Sequence, residues 1–184
     1  HTLWQSELKS HFNYKGVNSI LGLGMTKEEL SRRDFLNNAQ EDLKFIYAQL
    51  DATAFQKANI ILGTRYDSYT NYSPVVSNKF ALGFSLTNKI QINSSVGTGF
   101  KTPDFRQKYF DFTNSTIGYI VLGRDVVIDR LEAMQNIQEI MPVSELSSPL
   151  KSETSLNLNI GLQYNPIANL SFDFNVFNNK VNDL

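Results

Sequence analysis

The stretch LNLNIGLQY at residues 156–164 alternates apolar and small polar side chains without a break. Successive side chains of a β-strand point to opposite faces, so this alternation predicts a strand with one apolar and one polar face. The polar positions carry Asn, Gly and Gln rather than Lys or Glu. A soluble sheet covers its exposed face with charge, so the pattern favours a wall whose polar side faces a water-filled lumen or another protein element.

The same alternation recurs along the chain and predicts eight antiparallel strands joined by connections that are alternately short and long. A membrane β-barrel produces this arrangement, because its short turns lie on one side of the membrane and its long loops on the other. Short turns are predicted at 15–16, 56–57, 87–88 and 165–169, and long extracellular loops near 26–42, 67–77 and 101–152. The predicted strands are 4–14, 17–25, 43–55, 58–67, 79–86, 90–100, 156–164 and 170–176.

Charge and composition agree with a barrel and exclude several classes of function. Of the 35 charged residues, 9 lie within 27–44 and 13 within 101–151, so charge is concentrated in two of the predicted loops. The formal net charge of -1 excludes the basic surface that nucleic-acid binding needs. The absence of cysteine excludes disulfides and thiol catalysis. No run of 18 apolar residues is present, which excludes a transmembrane helix.

No pattern in the sequence indicates catalysis, and we expect no enzyme activity, catalytic residue, metal or cofactor. The two histidines, His1 and His11, lie near one end of the chain and have no candidate nucleophile beside them. The run from Gly97 to Gly99 lacks the third glycine and the following helix of a phosphate-binding turn. A glycine kink within a strand is the favoured interpretation there.

The long loops contain two predicted helices. Thr26 followed by Glu29 fits a capping box, which predicts a short helix ending at about Asn37. Helical spacing of apolar residues predicts a second, amphipathic helix near 124–140, which Pro142 ends.

The long loops also contain the candidates for ligand binding. Arg32 and Arg33 form a possible ligand-facing cationic pair, for which an ordinary charged loop is the alternative. Tyr109 and Tyr119 are candidates for stacking on a ligand, for which packing within the loop is the alternative. Arg124 is a further candidate in the same loop.

Several blocks of the sequence, in order, resemble the TonB-dependent outer-membrane receptors. The first are 65–67 and 80–82, and 97–103 is similar to the family's Gly-x-Gly-Phe-Arg-Ala-Pro block. The block 148–155 resembles the Asn-Pro-x-Leu-x-Pro-Glu start of a later strand, and 174–184 resembles a family strand rich in Phe and Asn. The motif positions that carry the resemblance are Gly97, Gly99, Phe100, Pro103, Pro149, Leu150 and Glu153.

The resemblance implies that residues 1–184 are a fragment of an all-β, antiparallel transmembrane barrel of about 22 strands, without its N-terminal plug domain. It implies TonB-dependent uptake of a scarce nutrient at the bacterial outer membrane, with a siderophore, cobalamin or an oligosaccharide as ligand. The implied partners are outer-membrane lipid, the receptor's own plug domain, the TonB complex and the small ligand. The glycine- and tyrosine-containing sequence of residues 118–123 suggests the Bacteroidetes branch of the family. No histidine occurs between 103 and 148, which disfavours haem as the ligand.

Two alternatives stay open. The first is a complete eight-stranded outer-membrane barrel with a structural or adhesion role, whose interior would have to be filled by side chains. Strands lined with Gly and Asn fill such an interior poorly. The second is a soluble β-rich binding or hydrolytic domain, which would need a polar surface in place of the Leu/Phe face.

Overall fold

The computed structural model of the protein describes residues 1–35, 38–134 and 150–183. Within these ranges the chain is built almost entirely from β-strands, with two short helices. The elements are β1 (Thr2–Tyr14), β2 (Val17–Leu30), β3 (Ala39–Ala54), β4 (Ala58–Tyr69), β5 (Val75–Thr87), β6 (Ile90–Lys101), α1 (Phe105–Tyr109), β7 (Asp111–Asn114), β8 (Tyr119–Leu122), α2 (Val127–Glu132), β9 (Glu153–Ile167) and β10 (Leu170–Asn182).

Eight of the strands form one antiparallel sheet in the order β1-β2-β3-β4-β5-β6-β9-β10. Every strand pairs with its neighbour along the chain, except that the long insertion 102–152 separates β6 from β9. The sheet is open, with β1 and β10 as its two edges. This arrangement confirms the predicted all-β antiparallel fold with eight sheet strands, in the form of a partial barrel.

Tight turns close the short connections at one end of the sheet. Lys15 and Gly16 both have positive φ angles, 48° and 80°, as do Phe55 and Gln56, at 52° and 56°. Two successive residues with positive φ match the right-handed twist of the strands they join. In an antiparallel sheet with such turns at one end, every long connection must begin and end at the opposite end.

The strands reach further toward the long connections than the alternation of apolar residues predicts. The predicted helix that starts at Thr26 is wrong, because β2 continues through this segment to Leu30. There Lys27 pairs with Asp42 of β3 in register, and the two side chains form an ion pair of 4.0 Å. Pairing with β3 gives the backbone of this segment a partner at each residue, which a capping box alone does not.

The predicted loops are therefore shorter than expected, at 31–38, 70–74 and 102–152. β3 has 16 residues, whereas about 9–11 residues of a tilted strand cross a bilayer. The strands thus extend beyond an apolar band, and the charged residues within 27–29 of β2 and within 41–44 of β3 lie on that extension rather than in a loop.

The connection 102–152 is folded rather than irregular. α1 begins with a capping box, in which Asp104 accepts a hydrogen bond of 2.8 Å from the Gln107 backbone N–H and the Gln107 side chain accepts one from Asp104. β7 and β8 form a hairpin whose turn contains Gly118 at φ 80°. A helix is confirmed within the range predicted near 124–140, but α2 covers only Val127–Glu132 and has Ala133 as its C-cap. The predicted range from residue 135 onward lies outside the described residues.

Burial distinguishes the sheet from the loops. Large apolar side chains on one face of the sheet are solvent-exposed, such as Ile160 at 63% and Phe174 at 67%. The buried apolar side chains of the described residues are few, and Phe35 and Val126 lie in the long connections. None of the helices in the described ranges is long and apolar enough to cross a membrane. The exposed face is defined by Leu8, Phe12, Leu21, Leu23, Ile46, Leu50, Leu62, Phe80, Leu158, Ile160, Phe174 and Val176 and is called the outer face; the opposite one is the inner face.

These features predict how the 184-residue chain behaves when it is produced alone. The two edge strands expose unpaired backbone groups, and the outer face exposes a continuous apolar surface, so the chain will aggregate in buffer and disperse only in detergent. Size-exclusion chromatography with light scattering, with and without detergent, measures this. A monodisperse monomer in detergent-free buffer would contradict the prediction.

Candidate functional site

An ion pair lies on the inner face of β4. Arg65 and Asp67 are two residues apart on the same face, and the Nε atom of Arg65 donates to both carboxylate oxygens at 2.9 Å. Asp67 is only 1% exposed. The expectation of an uncharged inner face is therefore wrong in this part of the sheet. A buried carboxylate is tolerated there because a bidentate guanidinium neutralises it.

Two aromatic rings of β3 extend this ion pair across the sheet. The Arg65 guanidinium carbon lies 4.0 Å from the centroid of the Phe45 ring. Tyr47 stacks beside Phe45, with 6.3 Å between ring centroids, and its hydroxyl donates a hydrogen bond to Glu7 on β1. Side chains of β1, β3 and β4 are thereby linked on the inner face, over β2.

Glycine in β2 makes this link possible. Gly22 pairs with Tyr47 and Gly24 pairs with Phe45 in the β2–β3 register. A Cβ atom at Gly22 would overlap the Tyr47 ring, and one at Gly24 would overlap the Phe45 ring and the Ser6 carbonyl oxygen. With the two rings in this arrangement, a side chain at Gly22 or Gly24 would displace them, so the glycine pattern of β2 has a packing role.

The three long connections meet at one end of the sheet, and we call residues 31–35, 70–74 and 102–132 the loop cluster. The Asp111 N–H donates to the Asp34 carbonyl at 2.8 Å, next to a β-bridge between Phe35 and Phe110. The Tyr72 hydroxyl donates to the Pro103 carbonyl at 3.1 Å. These contacts join the connection after β6 to the connections after β2 and β4.

Lys108 of α1 is buried inside the loop cluster, with 6% of its surface exposed. Its Nζ atom lies 3.7 Å from Asp125 and 4.9 Å from the ring centroids of both Tyr72 and Tyr109. Burial lowers the pKa of Lys108, but the hydrogen bond with Tyr109 and the neighbouring Tyr72 and Asp125 outweigh burial and raise the pKa overall. Burial raises the pKa of Tyr72. At neutral pH Lys108 is therefore a cation that lies against two aromatic rings.

A depression of about 470 Å³ opens between the loop cluster and the inner face of β2 and β3. Tyr69 and Phe105 supply apolar lining. Its charged lining residues are Glu28, Arg32, Glu41, Asp104 and Arg106.

The three carboxylates of the depression already have partners. Glu28 forms a contact of 2.9 Å with the imidazole of His1. Glu41 accepts hydrogen bonds of 3.3 and 3.0 Å from the backbone and side chain of Asn71. The Asp104 carboxylate caps α1. Each of the three carboxylates is therefore hydrogen-bonded to another group of the protein.

The two arginines of the depression differ. Arg32 is bound by Asp34 through two hydrogen bonds of 2.9 and 2.8 Å. Arg106 packs over the Phe110 ring at 5.6 Å, and no carboxylate of the described residues pairs with its guanidinium. Arg106 is thus a cation available to an anionic ligand.

The structure separates the ligand candidates found in the sequence. Arg32 lines the depression, whereas Arg33 is exposed in the adjacent turn. Tyr109 packs within the loop cluster, Tyr119 lies on the β7–β8 hairpin, and the backbone N–H of Arg124 donates to α1. Of these five residues only Arg32 lines the depression, and ligand binding by each of the five stays a prediction.

The family-motif positions lie where β6 and β9 meet the loop cluster. Gly97 and Gly99 are within β6, and a Cβ atom at Gly99 would lie 2.9 Å from the Ser155 hydroxyl oxygen. The Phe100 ring meets the Tyr69 ring edge-on at 6.0 Å. A side chain at position 99 would therefore require the Ser155 hydroxyl to turn away.

The remaining motif positions flank this junction. The Pro103 carbonyl accepts the Tyr72 hydrogen bond. Glu153 begins β9 opposite Lys101, with which it forms an ion pair of 3.1 Å. Leu150 is exposed ahead of β9, and Pro149 lies outside the described residues.

Sequence reasoning missed Arg106 and the inner-face ion pair. The capping box of Asp104 and Gln107 is visible in the sequence and would have revealed α1, which carries Arg106. Arg65 and Asp67 appear in the sequence only as charges within an apolar strand. No set of three or more His, Asp or Glu side chains in the described ranges is arranged to hold a metal ion.

In the comparison with known proteins, the chain matches one family model. The family model described as "TonB dependent receptor-like, beta-barrel" matches residues 2–184. The search of curated proteins found no significant match.

Solved structures with the same fold are siderophore receptors. The siderophore receptor PirA from Pseudomonas aeruginosa is 13% identical with a TM-score of 0.75, covering 97% of this chain and 32% of its own. PirA from Acinetobacter baumannii is 14% identical with a TM-score of 0.68, covering 99% and 27%. The ferric enterobactin receptor PfeA from Pseudomonas aeruginosa, in complex with enterobactin, is 16% identical with a TM-score of 0.70, covering 96% and 26%. The chain thus spans about a third or less of these receptors, and at such identities the likeness shows the fold.

The inner-face ion pair yields a stability prediction. Arg65→Met in the full-length protein leaves the buried Asp67 carboxylate without its guanidinium, which lowers the free energy of unfolding by about 3–5 kcal/mol. Urea unfolding in detergent, followed by tryptophan fluorescence, measures the loss. Lys79→Met on the inner face of the next strand is the matched control and should cost under about 0.5 kcal/mol. Equal effects of the two variants would show that the ion pair is not responsible.

Proposed function

The chain belongs to the TonB-dependent receptors, as part of their β-barrel domain, and from this premise we propose that its receptor takes up a ferric siderophore across the bacterial outer membrane. The family is one of receptors and not of enzymes. In this proposal the chain supplies a section of the barrel wall and part of the extracellular ligand-binding surface. The observation that carries the ligand assignment is the depression beside the loop cluster, with Arg106 on its wall.

The apolar outer face supports a position in the membrane. A barrel strand in the outer membrane turns its apolar side to lipid and its polar side to the lumen, and the outer and inner faces of this sheet have those characters. The open sheet argues against a complete eight-stranded barrel, because β1 and β10 are not paired with each other. The exposed outer face argues against a soluble β-rich domain.

The chemistry of the depression supports an anionic, partly aromatic ligand. Its carboxylates are engaged by other protein groups, while Arg106 has no carboxylate partner among the described residues. Tyr69 and Phe105 add rings on which a planar ligand can stack. This combination favours a ferric siderophore over a neutral oligosaccharide, and the solved receptors with the same fold bear siderophore names.

Transport requires parts beyond this chain. We propose that ligand captured at the loop cluster is passed to a plug domain inside the barrel, whose rearrangement is driven by the TonB complex. No covalent bond is formed or broken. The inner face, with its Asn, Ser and Gly side chains and the Arg65–Asp67 pair, is the wall on which that plug domain would rest.

The proposal predicts energy-dependent uptake by the native host. Deletion of the gene should abolish uptake of ⁵⁵Fe supplied as one class of ferric siderophore, and a protonophore should abolish it equally in the wild type, since transport is energy-coupled. Cobalamin and labelled oligosaccharides are tested in parallel. Uptake of every ferric siderophore unchanged by the deletion would refute the ligand assignment, and loss of cobalamin or glycan uptake instead would replace it.

Localisation is checked in the same strain. An antibody raised against this chain should detect a protein in the outer-membrane fraction that is well above the 20.9 kDa of the chain itself. A band near the mass of the chain in the soluble fraction would rule out a barrel.

Arg106 provides the site-specific prediction. Arg106→Gln removes the cation that faces the depression, so the siderophore concentration for half-maximal uptake should rise about tenfold, equivalent to about 1.4 kcal/mol, with the maximal rate unchanged. Lys57→Gln, in a short turn at the opposite end of the sheet, is the charge-matched control. Identical uptake curves for Arg106→Gln and wild type would place the ligand elsewhere.

A further inference from the structure

We propose that Lys108 is the positioning residue of the loop cluster and sets the ligand affinity of the depression by holding α1 in place. This inference rests on the proposed function for its effect on uptake, while its structural part stands on the contacts of Lys108 alone. Lys108 does not line the depression, so any effect on ligand binding must pass through the residues that it holds.

The first reason is the number of segments that meet at Lys108. Its ammonium group contacts Asp125 from the turn before α2, Tyr72 from the connection after β4, and Tyr109 from its own helix. Its backbone carbonyl accepts a hydrogen bond of 2.8 Å from the Asp125 N–H. One residue therefore joins α1 to the connection after β4 through its side chain, and to the turn before α2 through both its side chain and its backbone.

The second reason is the burial of its charge. Lysine is rarely buried, because taking its ammonium group out of water is costly unless other groups compensate. The carboxylate of Asp125, at 3.7 Å, is itself 45% exposed. The two aromatic rings complete the surroundings of the ammonium group. If α1, the turn with Asp125 and the connection with Tyr72 moved apart, the ammonium group would lose the groups that stabilise its charge. The burial of Lys108 thus couples its neighbours to each other.

The third reason is the position of α1 relative to the depression. The residues just before Lys108, from Pro103 to Arg106, form one wall of the depression. Tyr72, which packs on the Lys108 ammonium group, also donates its hydroxyl hydrogen bond to the Pro103 carbonyl. Lys108 and Tyr72 therefore fix both ends of the segment that presents Arg106.

A second ion pair in the loop cluster provides a comparison. Arg130 of α2 pairs with Asp111 of β7 at 3.1 Å. This pair holds α2 against the β7–β8 hairpin, and neither residue lines the depression. If the inference is correct, breaking the Arg130 pair loosens a different part of the cluster and leaves the wall of the depression in place.

The test uses the full-length receptor in three forms. Lys108→Met keeps the aliphatic stem and removes the charge, Lys108→Arg keeps the charge, and Arg130→Met is the control. Hydrogen exchange measured by mass spectrometry on purified receptor in detergent reports the opening of 102–110. Uptake of ⁵⁵Fe-siderophore by cells reports the half-saturating concentration and the maximal rate separately.

We expect Lys108→Met to speed hydrogen exchange in 102–110 about tenfold, while hydrogen exchange in the strands stays unchanged. The variant loses the interaction of a desolvated cation with two aromatic rings, which is large enough to account for such a change. The half-saturating siderophore concentration should rise by a similar factor at an unchanged maximal rate. Lys108→Arg should restore both values at least in part. Arg130→Met should leave the exchange of 102–110 and the half-saturating concentration as in the wild type.

Three results would overturn the inference. Unchanged exchange in Lys108→Met would show that Lys108 does not hold α1. Faster exchange without a change in half-saturation would show that α1 does not position the ligand. An equal rise in half-saturation for Arg130→Met would show that general loosening of the cluster is the cause. If Lys108→Met does not reach the membrane, Asp125→Asn, which removes only the carboxylate partner, is measured in the same way.

The failure of the proposed function is distinguishable from these results. If the wild-type receptor takes up no siderophore, the uptake measurement gives no signal for any variant. The hydrogen-exchange measurement still decides whether Lys108 holds the loop cluster together.

Discussion

The pairing of backbone groups between neighbouring strands is the constraint on which the rest of this structure depends. Inside a bilayer no water is available to unpaired N–H and C=O groups, so a chain that crosses as strands must pair every residue with a neighbour. The sheet does so through seven consecutive antiparallel ladders, from β1–β2 to β9–β10. Because the backbone is paired in ladders, successive side chains can point only to one face of the sheet or to the other. The alternation of Leu and Phe with Asn, Ser and Gly follows from these two different faces.

The same constraint places the loop cluster, which is the proposed ligand-binding surface, at one end of the sheet. An antiparallel meander with tight turns at one end has all its long connections at the other, where the strands extend beyond the apolar band. The loop cluster is assembled there from three separate segments, and most of the buried side chains of the described residues are in or beside it, among them Phe35, Ala39, Lys108 and Val126. Few side chains of the sheet itself are buried, so packing among the described residues is concentrated in the loops.

The sequence predicts the sheet much better than the site. The period of two is a local signal, and it indicated all eight strands and their turns. It failed at Thr26–Leu30, because charge was interpreted as a loop, whereas the ladder with β3 continues through it. It also missed the short elements β7 and β8, whose four residues each are too few for a period to show. The depression is built from segments far apart in sequence, and no local pattern reports which of them meet. The proposed Bacteroidetes origin stays a prediction.

The contrast between wall and loops bears on how receptors of this kind acquire different ligands. The wall is stabilised by contacts between adjacent strands, repeated at every rung, and depends on the identity of few individual side chains. The loop cluster depends on a small number of long-range contacts, of which the burial of Lys108 between Tyr72, Tyr109 and Asp125 is the most concentrated. Regions held by few contacts lie at the low end of local stability and respond most to a bound ligand. Under the proposed function, substitutions in the cluster therefore change the ligand that is bound while the ladders of the sheet stay paired.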